Sequence, residues 1–145
     1  MQETKVTLIY LGFSLFIFFA LIPWVFNPTL AFKSIHALAI YGGIVVTFLG
    51  GMVWGWEGEP SSSKNLWFAI GFSILGLVVV LVSSINLSAS LILLIFSLHG
   101  FLRFEKKNSE YFQVNIKYAN ARNLITNLVT ICCITSLAFL YNPYT

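Results

Sequence analysis

Aspartate is absent from this chain, and charge of either sign is scarce: eight Lys and Arg against five Glu, 9% of 145 residues. Globular proteins carry about a quarter charged residues, so a water-exposed surface cannot be built from this composition. Cysteine is nearly absent too. Cys132 and Cys133 stand side by side in an apolar run, which excludes a disulfide framework and any C-x-x-C metal spacing and leaves them as small packing residues. There is no Walker loop and no H-E-x-x-H. The nearest approach to a catalytic triad, His99 with Glu105 and a serine such as Ser97, has no motif behind it. An enzyme is therefore not expected, nor a cofactor or metal. The surplus of positive charge, +3, is too small and dispersed for nucleic acid.

What is present is apolar length. The chain is 58% hydrophobic with a mean hydropathy of +0.86. Crossing a bilayer takes about 20 mostly apolar helical residues, and five such runs occur, at 6–26, 35–56, 66–84, 87–104 and 118–140. The first is too long for the apolar core of a cleavable signal and reads as a span. Runs three and four are separated only by Ile85 and Asn86, which predicts a tight helical hairpin. The predicted fold is an all-α bundle of five transmembrane helices in one integral membrane domain.

Five spans place the two ends of the sequence on opposite sides. One side then holds Lys5, Lys64, Arg103, Lys106, Lys107, Lys117 and Arg122, and the other only Lys33. Loops rich in Lys and Arg stay cytoplasmic, so the N-terminus is expected inside, the C-terminus outside, and the location the bacterial inner membrane. All five glutamates fall on the inner side and none mid-span, which removes the usual mark of an ion path. Trp24, Trp54, Trp56 and Trp67 sit near span ends, as an aromatic belt requires.

The second run carries an unusual load of glycine. Ala39, Gly43, Thr47, Gly51 and Gly55 recur at every fourth residue, with Gly42 and Gly50 beside them. On a helix this draws a ridge of minimal side chains, and in lipid such ridges let backbones approach closely. The second helix is expected to be the packing post of the bundle, and Gly51→Leu to destroy it. The same groove could instead admit a lipid or cofactor tail, or form a homodimer seam.

The segment IYGGIVVTFLGGMVWG resembles the signature of the transmembrane protein 69-like family, through Tyr41, Phe48, Leu49, Gly50, Gly51, Trp54 and Gly55, with Thr47 in place of the usual serine. Leu21-Ile22-Pro23-Trp24 resembles that family's first-helix motif, and Tyr118, Arg122 and Thr126 its last, although Ala121 and Ile125 replace two leucines there. The resemblance implies a small membrane protein of bacteria or mitochondria and supplies no reaction.

Polar residues gather at the inner ends of the spans. His99 and Arg103 lie four apart on the fourth; Tyr118, Arg122 and Thr126 repeat that spacing on the fifth, and Trp54 ends the second. Together they form a candidate inner-leaflet cluster for a lipid phosphate or a partner's carboxylate, since the guanidinium fork binds anions bidentately. The alternative is snorkelling of the arginines to headgroups, or pairing of one with Glu57. Asn120, Asn123 and Asn127 form a second stripe, expected to bond between helices. His36 and His99 fall near opposite faces, about 20–25 Å apart at the helical rise, too far to share one haem iron. Residues 106–118 are expected as a loop or a short amphipathic segment on the inner headgroups.

Two functions follow. One is a structural or accessory protein acting through contacts with membrane lipids, other membrane proteins or its own copies. The other is a small transporter or lipid- or quinone-handling protein, with a cavity between the second, fourth and fifth spans.

Overall fold

The computed structural model describes residues 2–55 and 63–141, and among these every regular element is helical. The elements are α1 (Gln2–Val25), α2 (Pro28–Met52) continued by a 3₁₀ turn (Val53–Gly55), α3 (Ser63–Ser83), α4 (Leu87–Asn108), the short α5 (Glu110–Val114) and α6 (Ile116–Leu140). Five of them, all but α5 and the turn, are long and apolar enough to cross a membrane. The five spans and the hairpin are as the hydropathy predicts.

The boundaries follow local chemistry. Asn27 caps α2, its side chain accepting from Leu30 N, and Pro28 occupies the first turn, where a missing N–H costs nothing. The second helix therefore starts seven residues before the apolar run at 35. Asn86 caps α4 in the same way through Ala89 N, which allows the α3–α4 turn to be so short. Ser109 both ends α4 and caps α5.

Pro23 lies inside α1 and cannot donate to the carbonyl one turn back, at Phe19. Ser34 of α2 fills the gap: its hydroxyl donates to Phe19 O at 2.8 Å. In hydrocarbon no water is present to do this, so a neighbouring helix must.

The packing order is a ring with one helix outside it. α2 contacts α1, α3 and α4; α6 contacts α1 and α4; and the main contacts of α3 are with α2 and α4. α1, α2, α4 and α6 thus enclose the centre, where Ile35, Leu38, Val46, Leu91, Leu94 and Phe101 are fully buried. The outer surface is apolar, with Phe48, Trp67 and Phe96 all more than 60% exposed. Such a surface is suited to lipid and not to water.

Glycine makes the α2–α3 contact, but not through the ridge of every fourth residue. A Cβ on Gly43 would lie 2.7 Å from Gly76 O, one on Gly50 2.8 Å from Ala69 O, and one on Gly76 2.5 Å from Gly43 O. Thr47 lies between them and donates to Ser73 O at 3.2 Å. A Cβ on Gly51 or Gly55 would meet nothing within 4 Å, and both residues are exposed. The expectation for these two is corrected. Each four-residue step overshoots a full turn by about 40°, so the row winds off the contact face after Thr47. The three-residue step to Gly50 brings it back. Gly42 faces the other way, where a Cβ would collide with Leu94 of α4.

Candidate functional site

The end of the bundle where α4 finishes and α6 begins holds a carboxylate that the sequence places among headgroups and the fold places in the core. Glu105, one turn from the end of α4, has no solvent exposure. Its Oε1 accepts from Arg122 Nε at 2.8 Å and its Oε2 from the Tyr118 hydroxyl at 2.6 Å. Isolated, such a charge would be expelled or protonated; a cation and a second donor hold it. α6 supplies both because residues four apart share a helix face. Thr126 continues the same buried face.

Two polar atoms here are left over. Arg122 Nη2 and Thr126 Oγ1 are buried and make no hydrogen bond among the described residues. Both residues line a cavity of about 500 Å³. Its walls come from α1 (Ile9, Gly12, Phe13, Phe16), α2 (Tyr41, Val45, Leu49) and α6, while α4 contributes only Leu98. The expected cavity between the second, fourth and fifth spans is thus corrected: α1 takes the place of α4, because α4 is pressed into the core by Leu94 and Phe101. Tyr41 fixes the α1 wall by donating to Gly12 O at 2.9 Å. At the mouth, Lys5 Nζ sits 3.7 Å from the centroid of the Tyr111 ring, a cation–π contact, and Tyr111 in turn packs edge-on against Tyr118.

The six residues expected to cluster divide evenly. Tyr118, Arg122 and Thr126 stand together on the cavity wall. Trp54 lies on the 3₁₀ turn, 63% exposed, and Arg103 is exposed on the outer side of α4. His99 turns to α6 instead, where its Nε2 lies 2.7 Å from Thr130 Oγ1. The Thr130 hydroxyl is also within 2.9 Å of Thr126 O. His36 is bonded likewise to Ser83 Oγ at 3.1 Å. Glu57 and Trp56 lie outside the described residues. Asn120 and Asn127 face outward from the bundle and Asn123 is half-buried, which corrects the expectation that the stripe joins helices within it. Residues 106–118 are neither loop nor surface helix throughout: α5 turns Phe112 inward against Leu102 and Tyr118.

Sequence reasoning missed Glu105 as a partner, and Lys5 and Tyr111 as the mouth. One signal for Glu105 was available. It stands two residues beyond Arg103, about 200° round the helix, so an outward Arg103 turns Glu105 inward.

Among the described residues no group of His, Cys or carboxylate side chains could hold a metal. What the site offers is two donors, unpaired among the described residues, on the wall of a mostly apolar cavity, suited to binding a polar head attached to an apolar body. Apolar helices ringing such a cavity define an integral membrane protein of the helical-bundle class. The chain belongs to the family described as protein of unknown function (DUF3429), whose model matches residues 2–138. No curated protein and no solved structure matches it.

Proposed function

We propose that this protein binds one amphiphilic molecule carrying a single negative charge, with its head on Arg122 and Thr126 and its apolar part between α1, α2 and α6. The observation that carries this is the pair of buried atoms, Arg122 Nη2 and Thr126 Oγ1, unbonded among the described residues, at one cavity. A buried donor without a partner costs about 1–3 kcal/mol, and a ligand oxygen removes that cost. The charges set the class. Arg122 is paired with Glu105, which leaves Lys5 as the one positive charge on the cavity lining without an ion-pair partner among the described residues. A lipid phosphodiester or a fatty-acid carboxylate balances it; a neutral quinone does not. The excess of Lys and Arg on the inner loops supports a cytoplasmic N-terminus, a bacterial inner-membrane location and an inner-leaflet mouth. The F-L-G-G-x-x-W-G core supports kinship with the transmembrane protein 69-like group.

The test is extraction in mild detergent followed by native mass spectrometry and lipid analysis. One anionic amphiphile per chain is expected, exchangeable for added phosphatidylglycerol or oleate. Gly12→Leu should lower occupancy severalfold without unfolding the protein, since a Cβ there meets only Tyr41 Oη, at an ordinary 3.5 Å. A chain that carries nothing, or a Gly12→Leu variant as fully occupied as the parent, would overturn the reading. The accessory reading is supported by a separate observation, the outer face of α6.

A further inference from the structure

From Lys117 to Ala138 the exposed residues of α6 fall at alternating steps of three and four without a break: after Lys117 come Asn120, Leu124, Asn127, Ile131, Ile134 and Ala138. The mean step is about 3.5 residues, the repeat of a left-handed helix pair. This face points away from α1 and α4, the helices that hold α6 in the ring.

Two of the six residues are amides, and their depth matters. α6 runs from Ile116 to Leu140, so Asn127 is one residue from its midpoint. At the helical rise it stands about 17 Å from the start of the helix, in the middle of a hydrocarbon layer about 30 Å thick. Headgroup water does not reach it. Three hydroxyls elsewhere on the surface of the spans bond their own helix backbone: Thr7 donates to Glu3 O, Ser14 to Leu11 O and Thr135 to Ile131 O. Asn120 and Asn127 make no such bond among the described residues, although each amide has two N–H donors and a carbonyl acceptor. An amide facing hydrocarbon without partners is costly.

We propose that this face of α6 is the seam of a parallel homodimer, in which Asn120 and Asn127 pair with their counterparts on a second copy. An amide is its own complement, donor to acceptor. The two asparagines are seven residues apart and so occupy the same heptad position, which puts each opposite itself when two parallel helices meet about a two-fold axis. Two copies of one membrane protein share their orientation in the bilayer, so the parallel arrangement is imposed. Between Asn120 and Ala138 the seam contains no charge to repel its twin, and Ala138 and the asparagines are small enough for close approach. A partner of another kind would need its own matched amides; the second copy has them by construction.

The test measures energy transfer between donor- and acceptor-tagged copies of the full chain in phosphatidylethanolamine/phosphatidylglycerol vesicles at increasing lipid dilution. Transfer that dilutes out reversibly is expected. The Asn120→Leu/Asn127→Leu double variant should self-associate roughly tenfold more weakly or worse, given the strength of interhelical polar contacts in membranes. Both positions face outward, so its helix content and melting should match the parent's; replacement of both by Gln should retain association. In native membranes Ile131→Cys should form a disulfide-linked dimer, and Ile74→Cys, exposed on α3, should not. A chain that stays monomeric at every dilution, a double-Leu variant that associates as well as the parent, or Ile131→Cys linking only to a different protein would each overturn the proposal.

Discussion

Glu105 Oε1 lies 2.8 Å from Arg122 Nε, and the carboxylate that makes this bond has no exposure at all. The pair joins the end of α4 to the start of α6 and closes the ring of helices. Removing one partner strands the other. Glu105→Ala is expected to cost about 3–5 kcal/mol, as breaking buried pairs does. Tyr118→Phe, which loses one bond to a charged acceptor, should cost about 1.5–3 kcal/mol. Replacing both ions, Glu105→Leu with Arg122→Met, should recover most of the first loss. Melting temperature in detergent checks all three, and a double variant no more stable than Glu105→Ala would count against the pair as the closure.

Gly76 and Gly51 should respond in opposite ways to enlargement. At Gly76 a Cβ meets backbone atoms, Gly43 O at 2.5 Å and Thr47 N at 2.8 Å, and neither can swing aside. Gly76→Ala is expected to force α2 and α3 apart, with a cost at or above the roughly 1–3 kcal/mol of ordinary overpacking. Gly51→Leu meets open space and relieves a poor helix former worth about 0.8 kcal/mol. Its accumulation in the membrane should equal or exceed the parent's, as quantitative blotting would show.

Pro23 and Ser34 are expected to be coupled. Ser34→Ala leaves Phe19 O without a donor in α1 and should destabilise by about 1 kcal/mol or more. In a Pro23→Ala background α1 supplies its own N–H, so the same serine substitution should cost much less. A double-mutant cycle on melting gives the coupling directly, and an additive result would dissociate the two.

Sidedness can be read from single cysteines, because Cys132 and Cys133 are buried and should label poorly. Lys33→Cys, on the exposed start of α2, should react with an impermeant maleimide from outside intact cells, and Lys107→Cys only after lysis. Labelling in the reverse order would invert the bundle.

How far the sequence carried these conclusions depended on the direction in question. Along the membrane normal it was legible: hydropathy located five spans, and the Ile85–Asn86 break located the hairpin. Around each helix axis it was less so. The every-fourth-residue row from Ala39 to Gly55 looked like one ridge, yet a helix of 3.6 residues per turn winds it off the contact face. His99 and Arg103 share a face by spacing, but which helix that face meets is a matter of packing. The pairing of Glu105 was hidden for the same reason, since its distance from the span's end resembles that of any headgroup residue. Asn27 and Pro28, by contrast, spelled a helix start in local chemistry that an apolar-run criterion passes over.

The placement of the buried ion pair bears on how the chain is made. Among the long helices α3 packs chiefly on its sequence neighbours, so its main contacts are available once α4 has been made. Glu105 enters the membrane with α4 but meets its countercharge only when α6 follows. A chain without α6 would leave the Glu105 carboxylate without the cation and the hydroxyl that hold it in the finished bundle.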